Sequence, residues 1–233
     1  CIELATRGIR NTYPNPMVGC IIVHNNKIIG EGFHEAYGSN HAEVNAINSV
    51  INQDLLSMST LYVNLEPCNH FGKTPPCTKL IIDKGIKNVI IGSRDPNSLV
   101  KGGGINTLIS SGCNVEHGIM KDKCDKLNKR FFTFHNQRRP YVILKWAESK
   151  DGFISPRKSD RNEQDIFWIS NEQSKKMSHY FRSQEHSILV GVQTVIDDDP
   201  ELTTRLVEGK NPIRIVLDPN NRIPNNSKVL STE

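Results

Sequence analysis

Two apolar runs, Met17–His24 and Lys27–Phe33, are separated only by Asn25 and Asn26. Asparagine tolerates the positive φ that a two-residue turn demands, so the pair reads as an antiparallel hairpin. The chain then alternates. A helix is expected from about His41, capped by Ser39 or Asn40 and carrying Ala42, Val44, Ala46, Ile47 and Val50. Strand Thr60–Leu65 follows, then a helix near Thr78–Lys84 closed by Gly85 and a strand at Asn88–Gly92. A helix near Ile105–Ser110 and a strand near Cys113–Glu116 complete the series. A hairpin that gives way to alternating helices and strands predicts a sheet sandwiched by helices.

Around Met120–Asn136 the composition shifts to a charged, helix-like segment, which places a domain boundary there and divides the chain into residues 1–138 and 139–233. A second αβ unit opens with PYVILKW, read as a strand, and passes through a polar loop to Asp165. A helix near Asn171–Ser183 and the strands SILVGV and PIRIVL follow. About 95 residues is short for an α/β domain that binds a cofactor, so this unit is expected to be cut off. The chain starts at Cys1, without a methionine and inside a helix-like stretch, so a missing N-terminal segment is expected too.

With 36% hydrophobic and 23% charged residues the chain is globular. A net charge of +4 suits anionic small molecules better than nucleic acid, which asks for a denser basic stripe. No apolar run approaches the roughly 20 residues that cross a bilayer. Six unevenly spaced cysteines fit a reducing compartment rather than a disulfide scaffold, so a cytoplasmic location is expected.

The chemistry concentrates in His41-Ala42-Glu43 and in EPCNHFGKTPPC, Glu66–Cys77. Imidazole and thiolate are the ligands zinc prefers, and three of them (His41, Cys68, Cys77) leave a fourth position for water, whose pKa zinc lowers towards about 7. Glu43, two residues from the histidine on the first turn of a helix, can face the same site without ligating and carry protons. Cysteines at the start of the second helix would be favoured as thiolates by its unpaired N–H groups and dipole. Taken singly, His41 is an ordinary capping or core residue, Glu43 a solvated acid, and the cysteines buried thiols or a structural zinc pair. Together they match the nucleobase-deaminase signature, H-x-E followed by P-C-x-x-C, except that eight residues separate the cysteines here.

That longer spacing, with PNPMVGC, GEGFH, HAEVNA, LEPCNHFGKTPPC, the DPN of Asp95–Asn97, LNKRF, KWAESKDG, WIS and TVIDDDPELTTR, resembles the bifunctional riboflavin-biosynthesis deaminase/reductase family over nearly all 233 residues. The resemblance implies a cytidine-deaminase-like three-layer α/β/α domain followed by a dihydrofolate-reductase-like α/β domain, incomplete in this chain. It implies that the first domain deaminates 2,5-diamino-6-ribosylamino-4(3H)-pyrimidinone 5′-phosphate. His41, Cys68 and Cys77 would bind zinc, and Glu43 would move protons from water to the ring nitrogen and the departing amine.

Family positions near this substrate are Asn15, held between two prolines, and His34 of GEGFH. A ribose phosphate needs cationic and hydroxyl donors, which Lys73, Thr74 and His70 supply, with Gly72 allowing close backbone approach. For the second domain the resemblance implies NADPH as cofactor. Lys145, Arg182, Leu202 and Arg205 would lie near the phosphosugar, and Trp168, Thr194 and Asp198 near the nicotinamide cofactor. Asp197–Asp199 with Pro200 otherwise reads as a solvated turn. A sheet missing strands exposes an edge, so a chain that deaminates but reduces poorly or not at all is expected.

Two other classes share parts of the pattern. A nucleic-acid-acting zinc deaminase shares H-A-E and P-C but needs an extended basic or aromatic surface, against which 6% aromatics and a phosphate-suited loop argue. A binding module with structural zinc needs a fourth protein ligand, for which His70 is the nearest candidate. The partner expected is therefore a small phosphoribosyl pyrimidine, with no nucleic acid and no membrane; a homo-oligomer is compatible with the family.

Overall fold

The computed structural model describes residues 1–71, 75–97, 103–156 and 168–231. It divides into two compact units, Cys1–Val142 and Ile143–Glu233. The first is built on a five-stranded mixed sheet. In chain order its strands are β1 (Gly19–His24), β2 (Lys27–Phe33), β3 (Thr60–Leu65), β4 (Asn88–Ser93) and β5 (Asn114–His117), arranged β2-β1-β3-β4-β5. β1 runs antiparallel to both neighbours, while β3, β4 and β5 are parallel. The hairpin turn lies where the two asparagines predict it, with φ of 46° at Asn25 and 59° at Asn26.

Short helices cover both faces. α1 (Ile2–Thr6) and α5 (Lys121–Leu127) pack on one side; α2 (Ala42–Ser49), α3 (Cys77–Asp83) and α4 (Gly103–Ser110) pack on the other; α6 (Lys129–Gln137) follows α5. The core between the sheet and α2, α3 and α4 is aliphatic, with Ile22, Ile47, Leu61, Ile81, Val89, Ile91 and Leu108 all withdrawn from solvent. α2 lies flush on β2 because Gly30 and Gly32 carry no side chains there. A Cβ on Gly32 would stand 2.4 Å from the Ala46 nitrogen. The GEGFH glycines thus set the height of α2, and with it the histidine at its start.

One local expectation is corrected here. The N-cap of α2 is His41, with φ −73° and ψ 160°, not Ser39 or Asn40. Ser39 instead closes its own turn, its hydroxyl donating to the Ala36 carbonyl at 2.6 Å and accepting the Ala36 N–H at 3.1 Å. Val50, expected within the helix, is its C-cap.

The second unit holds α7 (Glu172–Gln184), β6 (Ser187–Gly191), α8 (Val192–Asp198) and β7 (Ile213–Leu217), with β6 and β7 parallel. Asn171 caps α7, its Oδ1 accepting the Ser174 N–H at 2.9 Å. Val195, Leu202 and Val229 form its small core with Ile188, Val190 and Val216. Two expectations change. The DDDP run is not a free turn: Asp197 and Asp198 end α8, and Asp199 turns the chain at φ 38°. PYVILKW forms no strand among the described residues, with Leu144 77% and Trp146 63% exposed. A continuous apolar run such as Tyr141–Leu144 suits a strand, but a strand exists only where a neighbour takes its backbone hydrogen bonds.

Candidate metal centre

Three chain ends converge at the carboxyl edge of the first sheet: the exit of β3 and the starts of α2 and α3. β3 runs into Glu66-Pro67-Cys68, and α3 begins at Cys77 itself. The two segments are sewn together at the helix start. The Cys77 N–H donates to the Cys68 sulfur at 3.3 Å, and the Thr78 N–H donates to the Cys68 carbonyl at 3.2 Å. His41 makes no side-chain cap to α2. Its Nδ1 instead lies 3.4 Å from the Cys68 sulfur and 3.3 Å from that of Cys77.

This donor set fits zinc. Tetrahedral zinc with Zn–S of about 2.3 Å and Zn–N of about 2.05 Å holds sulfur and nitrogen roughly 3.6 Å apart, close to the spacing found. Among the described residues, His41, Cys68 and Cys77 are the one group of three or more such side chains close enough to share an ion, their ligand atoms lying within 4.8 Å of one another. His70, the fourth ligand a structural site would need, lines the neighbouring cavity but is not part of this cluster.

The electrostatics divide the two thiols. Cys68 is held well below the ordinary thiol range, first by its hydrogen bond with Cys77 and then by His41. Cys77 is pushed up, first by sharing that hydrogen bond and then by burial. His41 is raised, chiefly by its hydrogen bond to Cys68. Glu43, on the first turn of α2 and 3% exposed, is raised from its ordinary 4.5 to about 7, by burial first and then by the Cys68 charge.

The centre opens into a cavity of about 240 Å³. Asn15, His34, Glu43, Asp95 and Phe131 share its wall with His41 and Cys68. His34 is oriented by the backbone: a carbonyl can only accept, so its Nδ1–H donates to Asn40 O at 2.9 Å. Burial lowers its pKa, so the ring is neutral and its Nε2 accepts from the Asn15 amide at 3.1 Å. Asn15, His34 and His70 are thus brought together around the centre. Lys73 and Thr74, and Gly72 beside them, lie outside the described residues.

Sequence reasoning passed over several wall residues. Asp95 is 8% exposed and raised to about 6, chiefly by burial. Its Oδ1 accepts the Asn97 N–H at 2.8 Å. The DPN motif was the available signal. Glu66 is buried, its carboxylate accepting the N–H groups of Asp95 and Ile105, both at 3.1 Å. It ties the cysteine loop to α4, where a Cβ on Gly104 would meet the Pro67 carbonyl at 2.1 Å. Phe131, four residues into LNKRF, needed the tertiary fold to be found.

In the second unit, Arg182 on α7 donates to the Thr203 carbonyl at 3.1 Å, next to the buried Leu202. Burial and then the Arg205 charge lower the Arg182 pKa, so the two guanidinium groups are electrostatic neighbours. His179 is buried, and its Nδ1 accepts the Arg205 N–H at 3.1 Å. Arg182, Leu202 and Arg205 are therefore brought together. Trp168 lies under Lys175, whose Nζ is 3.9 Å from the ring centroid, while Thr194 and Asp198 sit on α8. Lys145 is exposed in the unpaired segment before Gly152.

Comparison with known proteins agrees with this geometry. The family "Cytidine and deoxycytidylate deaminase zinc-binding region" matches residues 1–93, and "RibD C-terminal domain" matches residues 140–233. The riboflavin biosynthesis protein RibD of Aquifex aeolicus is 43% identical over 233 residues, covering 100% of this chain and 64% of its own length. A diaminohydroxyphosphoribosylamino-pyrimidine deaminase of Buchnera aphidicola subsp. Schizaphis graminum is 53% identical over 131 residues, with 56% of this chain and 88% of that protein covered. The crystal structure of a Thermotoga maritima diaminohydroxyphosphoribosylaminopyrimidine deaminase/5-amino-6-(5-phosphoribosylamino)uracil reductase superimposes with a TM-score of 0.88 at 42% identity. That match covers 98% of this chain and 64% of the other. The chain thus spans about two thirds or less of the length of its bifunctional relatives. Among the described residues no helix is long and apolar enough to cross a membrane.

Proposed function

The chain belongs to the riboflavin-biosynthesis deaminase/reductase family, and from that premise we propose that its first unit hydrolytically deaminates a diamino-ribosylamino-pyrimidinone 5′-phosphate. The observation that carries the reading is a buried carboxyl, Glu43, beside a three-ligand site that opens into a cavity.

His41, Cys68 and Cys77 hold zinc, which supplies the Lewis acidity that brings the pKa of water towards about 7. Glu43 does the proton work. It takes the proton that water gives up as the oxygen bonds to the amino-bearing ring carbon, and passes it to the ring nitrogen. It then moves the second water proton to the amine, the C–N bond breaks, ammonia leaves and a ring carbonyl remains. One carboxylate can accept a proton in the addition and release it in the departure, so a single group serves both steps. His34, neutral and tied to Asn40 O, turns the Asn15 amide so that its Nδ2 is spent on the ring and its Oδ1 accepts a pyrimidine amino hydrogen. Asp95 offers a second acceptor on the same wall. Lys73, Thr74 and His70 take the sugar phosphate.

The second unit is read as the corresponding part of a reductase that uses NADPH. Its match to the RibD C-terminal domain and the paired Arg182 and Arg205, which suit an anionic phosphosugar, support this. A cytoplasmic location and a small-molecule partner follow from the same reading.

The test is ammonia release from three compounds: the pyrimidine ribosyl phosphate, its dephosphorylated counterpart and a cytosine-containing single-stranded oligonucleotide. The phosphorylated pyrimidine is expected to be preferred by on the order of 100-fold in kcat/KM over the dephosphorylated form, about what one or two charge-assisted hydrogen bonds supply. Faster release from the oligonucleotide would transfer the chain to the nucleic-acid deaminases.

A further inference from the structure

The LNKRF motif, Leu127–Phe131, reaches the cavity through Phe131 and carries a buried asparagine, Asn128. Its asparagine is 3% exposed and joins α5 to α6. The Asn128 carboxamide grips the main chain of Met17 twice: Oδ1 accepts the Met17 N–H at 2.8 Å, and Nδ2 donates to the Met17 carbonyl at 2.8 Å. A second buried amide completes the clamp. Asn64, 2% exposed, donates to the same carbonyl at 3.1 Å and accepts the Gly19 N–H at 2.7 Å.

The placement explains why amides are used. β1 pairs with β3 from Cys20 opposite Val63, so Met17 lies beyond the reach of that ladder. Its backbone groups are partly withdrawn from water with no strand partner, and leaving such groups unmade is costly. A carboxamide sets N–H donors and a carbonyl acceptor side by side in one plane, so it can meet both the N–H and the C=O of one residue. Aspartate lacks the donor, and an apolar residue lacks both.

What the clamp holds is functional. Two residues before Met17 stands Asn15, whose amide meets His34 in the cavity; three residues after Asn128 stands Phe131, on the same wall. We propose that Asn128 is a positioning residue for the deaminase: by fixing Met17 it sets Asn15 against the metal centre and holds it in register with Phe131 on the same wall. The proposal rests on the deaminase reading of the cavity. It assigns Asn128 to substrate placement and leaves the proton transfer of Glu43 untouched.

The experiment compares wild type, Asn128→Ala and a control, Ile86→Val, which trims a core residue away from the cavity. Three quantities are measured: KM and kcat for ammonia release, zinc per chain, and amide hydrogen exchange of the Met17–Gly19 segment. Asn128→Ala is expected to raise KM by on the order of tenfold with kcat within about threefold and zinc unchanged, since two hydrogen bonds that place the ground state are lost. Exchange at Met17 and Gly19 rises at least about tenfold while β3 and β4 stay protected. Ile86→Val leaves KM and the Met17–Gly19 exchange as they were. If Asn128→Ala does not fold, Asn128→Ser, which keeps a hydroxyl for Met17, carries the same comparison. An unchanged KM, or exchange that rises evenly across the sheet, overturns the proposal. Absence of ammonia release in wild type would bring down the deaminase reading instead, and the exchange data would still decide whether Asn128 holds Met17.

Discussion

Glu43→Gln is expected to lower ammonia release by on the order of 10⁴-fold while zinc stays bound. General acid–base catalysis by one group contributes about 10²–10⁴, and the upper end applies because the same carboxyl serves addition and departure. Glutamine preserves the volume in a 3% exposed position but can carry no proton. A second signature separates this from a folding defect. In metal-free protein, burial raises the Glu43 pKa from 4.5 to about 7, so between these values the folded state binds more protons than the unfolded one. Stability from this group is therefore lost as pH rises through that window, reaching roughly 3 kcal/mol above pH 7. Glutamine has no such loss. Metal-free Glu43→Gln should melt higher than metal-free wild type at pH 8, and the two should converge near pH 4. Denaturant unfolding at both pH values measures this; a variant less stable than wild type at pH 8 would contradict the buried-carboxyl account.

Cys77→Ser is expected to remove zinc and deamination together. A serine hydroxyl stays protonated where a thiol can yield its proton to a metal, so one of three ligands is lost and the centre falls below the donors a catalytic site needs. Zinc per chain should drop below about one tenth after dialysis, with activity down by on the order of 10³-fold or more. Cys77 also opens α3, and the Cys77 N–H to Cys68 contact is a backbone bond that serine keeps. The variant's melting temperature should therefore match chelated wild type rather than fall further. Metal analysis alongside melting curves reads both. Full zinc content in Cys77→Ser would remove Cys77 from the ligand set.

How much of this was legible in the sequence differs by residue. Asn25-Asn26 announced its hairpin because the turn is a two-residue, local matter of allowed φ. The convergence of His41, Glu43, Cys68 and Cys77 was legible because ligand chemistry restricts residue type and the surrounding helix and strand starts are locally encoded. The N-cap of α2 was misread because a histidine occupied by two thiols leaves no sequence trace of its orientation. Asp95 and Phe131 come to the cavity from the loop after β4 and from α6, and only the assembled sheet brings them within reach. Asn64 and Asn128 were invisible for a further reason: their work is done on backbone groups, which every residue carries alike. PYVILKW shows the converse, a strand-like pattern whose pairing is decided elsewhere than in its own residues.

The central claim is that His41, Cys68 and Cys77 form an open, catalytic zinc site with Glu43 as its proton carrier, rather than a structural one. The direct measurement is a titration of zinc into chelated wild-type protein, with ammonia release from the pyrimidine ribosyl phosphate followed at each addition. The account predicts release that rises in proportion to bound zinc and levels off at one ion per chain. Full activity in the metal-free protein, or one tightly bound zinc with no ammonia released, would contradict it.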